Sequence, residues 1–249
     1  MAVTQLWLVR HGESVANIAA SRAEHEGLER IPIDIRDADV PLSAAGREQA
    51  EALRTWWEAN SAAIDACWVS PYRRARETLE IARADDDGPV GAIVDERLRD
   101  RELGILDLLT RRGVEALHPE EADRRRHLGK FYHRPPGGES WADVALRLRS
   151  FLRDALPTCD GESHGADGGG GLIVAHDAVV MVLLYLLLPL EEEALLDFAA
   201  DHTVLNASVT HLVARDGRWE LAAFSQVAHL QVEGAPVTVH PGNPDVEPE

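Results

Sequence analysis

Residues 6–14 combine an apolar run with a polar turn and read Leu6-Trp7-Leu8-Val9-Arg10-His11-Gly12-Glu13-Ser14. A short continuous apolar run is typical of a strand that is buried on both faces, as strands of a parallel sheet are. The turn places Arg10 and His11 at the carboxyl end of this strand. Because ligands of open α/β sheets bind at that end, the stretch predicts both a sheet and the edge of it that carries the chemistry.

The same pattern recurs twice further along the chain. Strands are predicted over Ala66 to Val69, before Ser70, and over Leu172 to Ala175, before His176. Amphipathic helices are predicted between them, one of them capped by Ser43. Alternating strands and helices predict the α/β class, as a three-layer α/β/α sandwich with a mainly parallel sheet.

The remaining segments complete one predicted domain over residues 1–234. The charged stretch 111–130 is predicted to be a small helical insertion, and 206–227 a hairpin with its turn at Asp216-Gly217. Residues 160–171 are rich in glycine and are interpreted as a connection. Residues 235–249, with several prolines and terminal acids, are predicted to be a disordered acidic tail.

Charge limits the classes of partner. The 249 residues carry 25 Lys and Arg against 43 Asp and Glu, a formal charge of −18, and Lys130 is the single lysine. Such a surface repels polyanions, so no nucleic-acid or anionic-membrane partner is predicted. A site for an anionic substrate would have to be built from arginines.

The apolar stretches of the chain predict its compartment, and the spacing of its cysteines predicts its redox chemistry. No apolar secretory stretch precedes it, and the longest apolar run, 178–190, is too short to span a bilayer, so we expect a cytoplasmic protein. Cys67 and Cys159 have neither disulfide-framework nor metal-ligand spacing. No oligomeric state is predicted.

Polar residues at three predicted strand ends converge on one crevice. These are Arg10 and His11 with Asn17 nearby, Arg74 after the second strand, and His176 after the third. Arginine presents a planar fork that matches phosphate oxygens and keeps its charge at any relevant pH. The set predicts a compact pocket for a dianion.

Five motifs stand in order along the chain. They are Leu8-Val9-Arg10-His11-Gly12-Glu13-Ser14 with Asn17; Leu42-Ser43 with Gly46, Gln49 and Ala50; Ser70-x-Tyr72-x-Arg74-Ala75-x-x-Thr78; Leu98-Arg99-Asp100-Arg101-Glu102-Leu103-Gly104; and Val174-Ala175-His176. Together they resemble the histidine phosphatase superfamily, also called phosphoglycerate mutase-like, from Leu6 to about Val213. A lone Arg-His-Gly would be weak evidence, whereas five ordered matches are specific.

The resemblance implies a phosphomonoesterase that needs no metal and no cofactor and acts on a small phosphorylated metabolite. His11 would attack the phosphoryl group as a neutral imidazole and become transiently phosphorylated. Arg10, Asn17, Arg74 and His176 would hold the phosphoryl oxygens, with His176 expected to be protonated. The alternatives are a phosphoglycerate mutase-type phosphotransferase and a non-catalytic member that binds phosphorylated ligands.

A general acid must protonate the leaving alkoxide, and a raised pKa is expected for it. Asp100 stands where many relatives have glutamate and is the first candidate, while Glu102 is the alternative. Asp177 is a departure, since many relatives have glycine there. Its carboxylate would either repel the substrate or cap the helix that follows, and capping is favoured.

Overall fold

The computed structural model describes residues 3–84, 90–156 and 168–240, and within them six strands form one sheet. The strands are β1 (Val3–Arg10), β2 (Ala66–Val69), β3 (Ala92–Val94), β4 (Gly169–Ala175), β5 (Val209–Arg215) and β6 (Arg218–Gln226). Their order is β3-β2-β4-β1-β5-β6, with the first four parallel and the β5–β6 hairpin antiparallel. The predicted α/β class and mainly parallel sheet are confirmed.

Helices cover both faces of the sheet. Those described are α1 (Val15–His25), α2 (Ala44–Asn60), α3 (Arg73–Arg83), α4 (Arg111–Leu117), α5 (Pro119–Tyr132), α6 (Trp141–Ala155), α7 (Asp177–Leu187), α8 (Glu192–Asp201) and α9 (Ala228–Glu233). Alternate residues of β1 point to opposite faces, as a pleated strand requires. Leu6 and Leu8 join the core formed with α6 and α7, and Trp7 and Val9 join the core formed with α2 and α3. The three-layer sandwich is therefore confirmed.

The predicted insertion consists of α4 and α5. Thr110 caps α4 by accepting from Gly113 N, and Pro119 begins α5 at a position that needs no N–H donor. Gly129 interrupts α5 with φ 75°, a conformation that favours glycine, and the segment continues to Tyr132. The predicted helical insertion is thus observed, two residues longer than expected.

The apolar run 178–190 lies mostly in α7, which ends at Leu187, and its last residues form a short connection to α8. None of the helices in the described parts of the chain is both long and apolar enough to cross a membrane.

The pairing register of β1, β2 and β4 places the carboxyl ends of these strands side by side. Arg10 pairs with Ala175, and Val69 pairs with Val174. The backbone continues this pairing one residue further, where His11 N donates to Ala175 O at 3.0 Å. The carboxyl ends of β1, β2 and β4 therefore lie level, and the side chains that follow them face one crevice.

Two segment predictions need correction. Residues 235–240, expected to be disordered, make specific contacts: Gln49 Nε2 donates to Pro236 O and to Thr238 Oγ1, each at 2.8 Å. The amide nitrogen of Gln49, which is completely buried, thereby finds its hydrogen-bond acceptors in residues 236–238. Within the predicted glycine-rich connection, residues 169–171 belong to β4. Cys159, residues 160–167 and the tail beyond His240 lie outside the described residues.

Candidate active site

The crevice at the strand ends holds a pocket of about 460 Å³. Most of the predicted site residues contribute to its wall, and His176 lies immediately behind it, fully buried. The predicted residues on the wall are Arg10, His11, Asn17, Arg74, Asp100 and Glu102. The structure therefore brings together side chains that are up to 166 positions apart in the sequence.

His11 is held with one ring nitrogen bound to the backbone and the other directed at Arg74. Nδ1 lies 2.7 Å from the carbonyl oxygen of Gly12, so Nδ1 carries the proton and donates it. Nε2 then keeps its lone pair and lies 3.2 Å from Arg74 Nε. Burial, Arg74, His176 and Arg10 together hold the pKa of His11 well below 6.5. The imidazole is neutral at physiological pH, as a nucleophile must be.

Three side chains from distant elements fix the backbone around His11. Thr78 Oγ1 accepts from Gly12 N at 3.0 Å, Gln49 Oε1 accepts from Glu13 N at 2.8 Å, and Asn206 Nδ2 donates to His11 O at 3.2 Å. Gly46, at the start of α2, packs so closely that a Cβ there would lie 1.9 Å from Glu13 O. His11 is thus positioned by packing and hydrogen bonds, not by local sequence alone.

Arg10 and Arg74 differ in what they bind. Arg10 is buried, its Nη1 donates to Val204 O at 2.5 Å, and its Nε has no hydrogen-bond partner among the described residues. A buried donor without an acceptor is costly, which indicates an anionic ligand at this point. Arg74 is buried at the start of α3 and stacks on Tyr72, 5.0 Å from the ring centroid.

His176 packs edge-on against His11, with ring centroids 5.2 Å apart. Its Nε2 lies 2.8 Å from Ser70 Oγ, and its Nδ1 lies 3.2 Å from Asp100 Oδ2, an ion-pair distance without hydrogen-bond alignment. Burial lowers the pKa of His176, and Asp100 opposes this shift only in part. Complete burial therefore disfavours the charged ring, and the protonated His176 stays a prediction for the complex with a phosphoryl group.

Asp100 lies at the centre of the site, whereas Glu102 lies at its margin. Asp100 Oδ2 accepts from Arg74 Nη2 at 2.9 Å, while Glu102 Oε1 accepts from Tyr72 Oη at 2.8 Å and its side chain is 48% exposed. Burial raises the pKa of Asp100, but His176 and Arg74 outweigh burial and hold it well below 3.8. The pKa of Asp100 is therefore lowered and not raised as expected, because Arg74 and His176 both face the carboxylate.

A phosphoryl group bound beside Asp100 would change that balance. The dianion would draw the Arg74 and His176 donors to its own oxygens and would add a like charge close to the carboxylate. Both changes raise the pKa of Asp100. A protonated Asp100 is therefore compatible with a bound phosphoryl group, although Arg74 and His176 by themselves favour the carboxylate.

The loop that carries Asp100 is braced from the segment before α6. Glu139 Oε1 accepts from Arg99 Nη2 at 2.6 Å and from Arg147 Nε at 3.0 Å, and Arg101 Nε donates to Glu139 O at 2.8 Å. Arg147 Nη2 also donates to Asp100 O at 3.2 Å. This network fixes the loop that carries Asp100 to Glu139 and to Arg147 of α6.

Asn17 caps α1 together with Ser14. Asn17 Oδ1 accepts from Ser14 N and from Ser14 Oγ, both at 3.0 Å, and Asn17 N donates back to Ser14 Oγ at 3.1 Å. Because the amide oxygen is used in the cap, the amide nitrogen is left to donate into the pocket that Asn17 lines. The structure thus gives Asn17 a capping role beside the predicted phosphate-binding role.

Asp177 occupies the first turn of α7 and lines the pocket. His176 is the N-cap residue and makes no side-chain cap, while Asp177 Oδ1 accepts from Ala178 N at 2.7 Å. Asp177 is thus the first helical residue and not the N-cap, and its carboxylate accepts from one N–H of the first turn without making the cap that was expected.

The sequence analysis missed several pocket residues, among them Asp37, Asp107 and His240. Asp37 binds Arg74, Asp107 joins the outer wall, and His240 closes the wall from the C-terminal segment. Burial, Asp37 and Glu102 raise the pKa of Asp107. His240 Nε2 lies 2.7 Å from Glu13 Oε2. No motif contains these residues, and only tertiary contacts bring them to the site.

In the described ranges, no group of three or more His, Cys, Asp and Glu side chains is arranged to hold a metal ion. The donors that converge on His11 are arginine and imidazole nitrogens, which suit an anion.

Comparison with known proteins decides the family. The model of the histidine phosphatase superfamily (branch 1) matches residues 6–227. The chain belongs to the histidine phosphatase superfamily. This histidine phosphatase superfamily member is therefore a phosphatase or a phosphotransferase, and the fold implied by the resemblance is confirmed.

Relatives of this superfamily member include both kinds of enzyme. It is 33% identical over 183 residues to a 2,3-bisphosphoglycerate-dependent phosphoglycerate mutase of Gloeobacter violaceus, covering 72% of this chain and 73% of the mutase. A mycobacterial glucosyl-3-phosphoglycerate phosphatase, solved with inorganic phosphate, superposes with a TM-score of 0.68 at 26% identity, covering 91% of this chain and 99% of the phosphatase. An α-ribazole phosphatase from Shigella flexneri shares the fold, with a TM-score of 0.69 at 21% identity over 90% of this chain and 97% of that protein.

Proposed function

We propose that the chain is a phosphomonoesterase of the histidine acid phosphatase type that acts on a small phosphorylated metabolite through a phosphohistidine at His11. The observation that carries the proposal is the unprotonated Nε2 of His11, which faces Arg74. Nearby is the buried Nε of Arg10, for which the described part of the chain offers no acceptor. A nucleophile and phosphate donors are thereby placed around the same small volume.

The proposed reaction has two steps. His11 Nε2 attacks phosphorus while Asp100 gives a proton to the leaving oxygen, and water then attacks the phosphohistidine with Asp100 accepting its proton. Arg10, Arg74, His176 and the Asn17 amide nitrogen would stabilise the charge on the equatorial oxygens. Metal independence and a cytoplasmic location stay predictions.

The charges of the pocket wall favour hydrolysis over mutase chemistry. A mutase must retain a bisphosphorylated intermediate, which requires cationic contacts for a second phosphate. Arg101 and Lys130 supply such contacts on one side, but carboxylates outnumber cationic side chains on the wall. The carboxylates are Glu24, Asp37, Asp100, Glu102, Asp107 and Asp177, against Arg10, Arg74, Arg101 and Lys130.

We expect water to intercept the phosphohistidine before any second transfer. Incubation with 3-phosphoglycerate and catalytic 2,3-bisphosphoglycerate should give inorganic phosphate or no reaction, as followed by phosphate release and by ³¹P NMR. A parallel panel of phosphorylated sugars, phosphopeptides and nucleotides would identify the substrate class. Rapid formation of 2-phosphoglycerate without phosphate release would establish the mutase alternative, and binding of phosphorylated ligands with no turnover would establish the non-catalytic one.

A further inference from the structure

Arg74 has every one of its N–H donors engaged by the protein. A guanidinium has five N–H groups. One donates to His11 Nε2, and the other four donate to acceptors on Asp37 and Asp100. The arginine that is expected to hold the phosphoryl group is therefore already saturated, in contrast to Arg10, whose Nε finds no acceptor within residues 3–84, 90–156 and 168–240.

Asp37 supplies most of these acceptors. Its carboxylate accepts hydrogen bonds from Arg74 Nη1 at 2.9 Å and from Nη2 at 3.3 Å, and its backbone carbonyl accepts from Nη1 at 2.7 Å. Two carboxylate oxygens on two guanidinium nitrogens reproduce the bidentate geometry with which arginine binds a phosphate group. Asp37 thus occupies the same donors that a phosphoryl group would use.

The surroundings of Asp37 leave it accessible to competition. Its side chain is 39% exposed at the pocket, whereas that of Arg74 is only 5% exposed and is fixed on α3 against Tyr72. A phosphoryl group entering the pocket must replace carboxylate oxygens on a buried arginine that does not leave its place. If they were not replaced, a phosphate dianion would stand beside the carboxylates of Asp37 and Asp100, at a high electrostatic cost.

We propose that Asp37 is an internal anionic ligand of Arg74 that competes with the phosphoryl group and so weakens the retention of substrate and of inorganic phosphate. The inference rests on the proposed function and adds a specificity-determining residue to it. Competition of this kind favours release of the product phosphate over the prolonged retention that a mutase needs. It lowers affinity without removing any group that reacts.

The test is the affinity for orthophosphate, measured by isothermal titration calorimetry on the full chain at fixed pH and ionic strength. Asp37→Asn should tighten orthophosphate binding by about tenfold, because one competing charge is removed from a partly buried site. Turnover should show the same change as a lower KM and a lower inhibition constant for phosphate. Asp37→Ala should act in the same direction and show that the effect does not depend on the asparagine amide.

Asp39→Asn is the matched control. Asp39 lies on the same 3-10 turn, Asp37–Asp39, and pairs with Arg36 at 2.7 Å on the surface. Its replacement removes the same charge two residues away and should change phosphate affinity by less than about twofold, because exposed charges are screened.

Weaker or unchanged phosphate binding in Asp37→Asn would overturn the proposal and make Asp37 a support that holds Arg74 in place. Equal tightening in Asp39→Asn would also overturn it, because the effect would then be one of general charge. The binding readout needs no turnover. If Asp37→Asn binds orthophosphate more tightly but the enzyme releases phosphate from no ester, only the proposed function is contradicted. If the enzyme hydrolyses esters but Asp37→Asn does not bind orthophosphate more tightly, only the role of Asp37 is contradicted.

Discussion

Replacement of His11 by alanine is expected to abolish turnover, with a loss on the order of 10⁴-fold or more in kcat. The reason is that covalent catalysis requires the lone pair of His11 Nε2, which the Gly12 carbonyl fixes by binding the proton on Nδ1. His176, 5.2 Å away between ring centroids, is fully buried behind the pocket wall, so we expect it not to take over the attack. Steady-state phosphate release from an activated aryl phosphate measures the loss.

The variant must be shown to fold before the loss is assigned to chemistry. Circular dichroism and orthophosphate binding serve this purpose, because Arg10 and Arg74 remain in place. His25→Ala, at the exposed C-terminal end of α1, is the matched histidine control and should retain activity. Near-wild-type turnover by the His11→Ala variant would rule out the mechanism as written.

Replacement of Asp100 by asparagine should have the second-largest effect, and that effect should depend on the leaving group. Hydrolysis of alkyl phosphates should fall by a factor on the order of 10² to 10⁴, because a poor leaving group must be protonated as it departs. Hydrolysis of an activated aryl phosphate should fall much less. A plot of log kcat/KM against leaving-group pKa should therefore become steeper in the variant.

Two neighbouring carboxylates test whether the assignment is specific. Glu102→Gln removes the partner of Tyr72, and Asp107→Asn removes the carboxylate whose pKa is raised on the outer wall. Neither should change the dependence on leaving group. If either one steepens the plot while Asp100→Asn does not, the acid has been assigned to the wrong residue.

The parts of the site that follow strands could be predicted from the sequence. Apolar runs ending in Arg10, Ser70 and His176 identify the strands, and parallel pairing brings their ends together. Arg74, one residue into α3, follows from the same logic. These positions depend on local periodicity and on the register of a parallel sheet, and both can be read from one chain.

Other features depend on contacts that no local pattern encodes. Asp37 lies in an irregular stretch and meets Arg74 only through folding, 37 positions away. His240 lies in a segment whose composition predicts disorder, yet Glu13 and Gln49 hold that segment against the sheet edge. Composition measures the average tendency of a segment, and a few buried hydrogen bonds override it.

The protonation states of the two histidines were predicted from their roles in the reaction. The pKa shifts agree with that prediction for His11 and run against it for His176. The neutral state of His11 follows from its burial among cations, as expected. His176 was expected to be charged because it would donate to phosphate, but its charge is disfavoured until an anion is present. The same argument explains the low pKa of Asp100. The predicted roles assume a bound phosphoryl group, whereas these pKa shifts arise from the protein's own groups.

The most direct test of the central claim is to trap the phosphoryl group on the enzyme. Wild-type protein quenched in alkali during turnover of a ³²P-labelled substrate should carry label that is stable to base and lost in acid, as phosphohistidine is, and peptide mass spectrometry should place it on His11. The His11→Ala variant should carry none. Label found on another residue, or turnover with no labelled protein at any quench time, would contradict the phosphohistidine account.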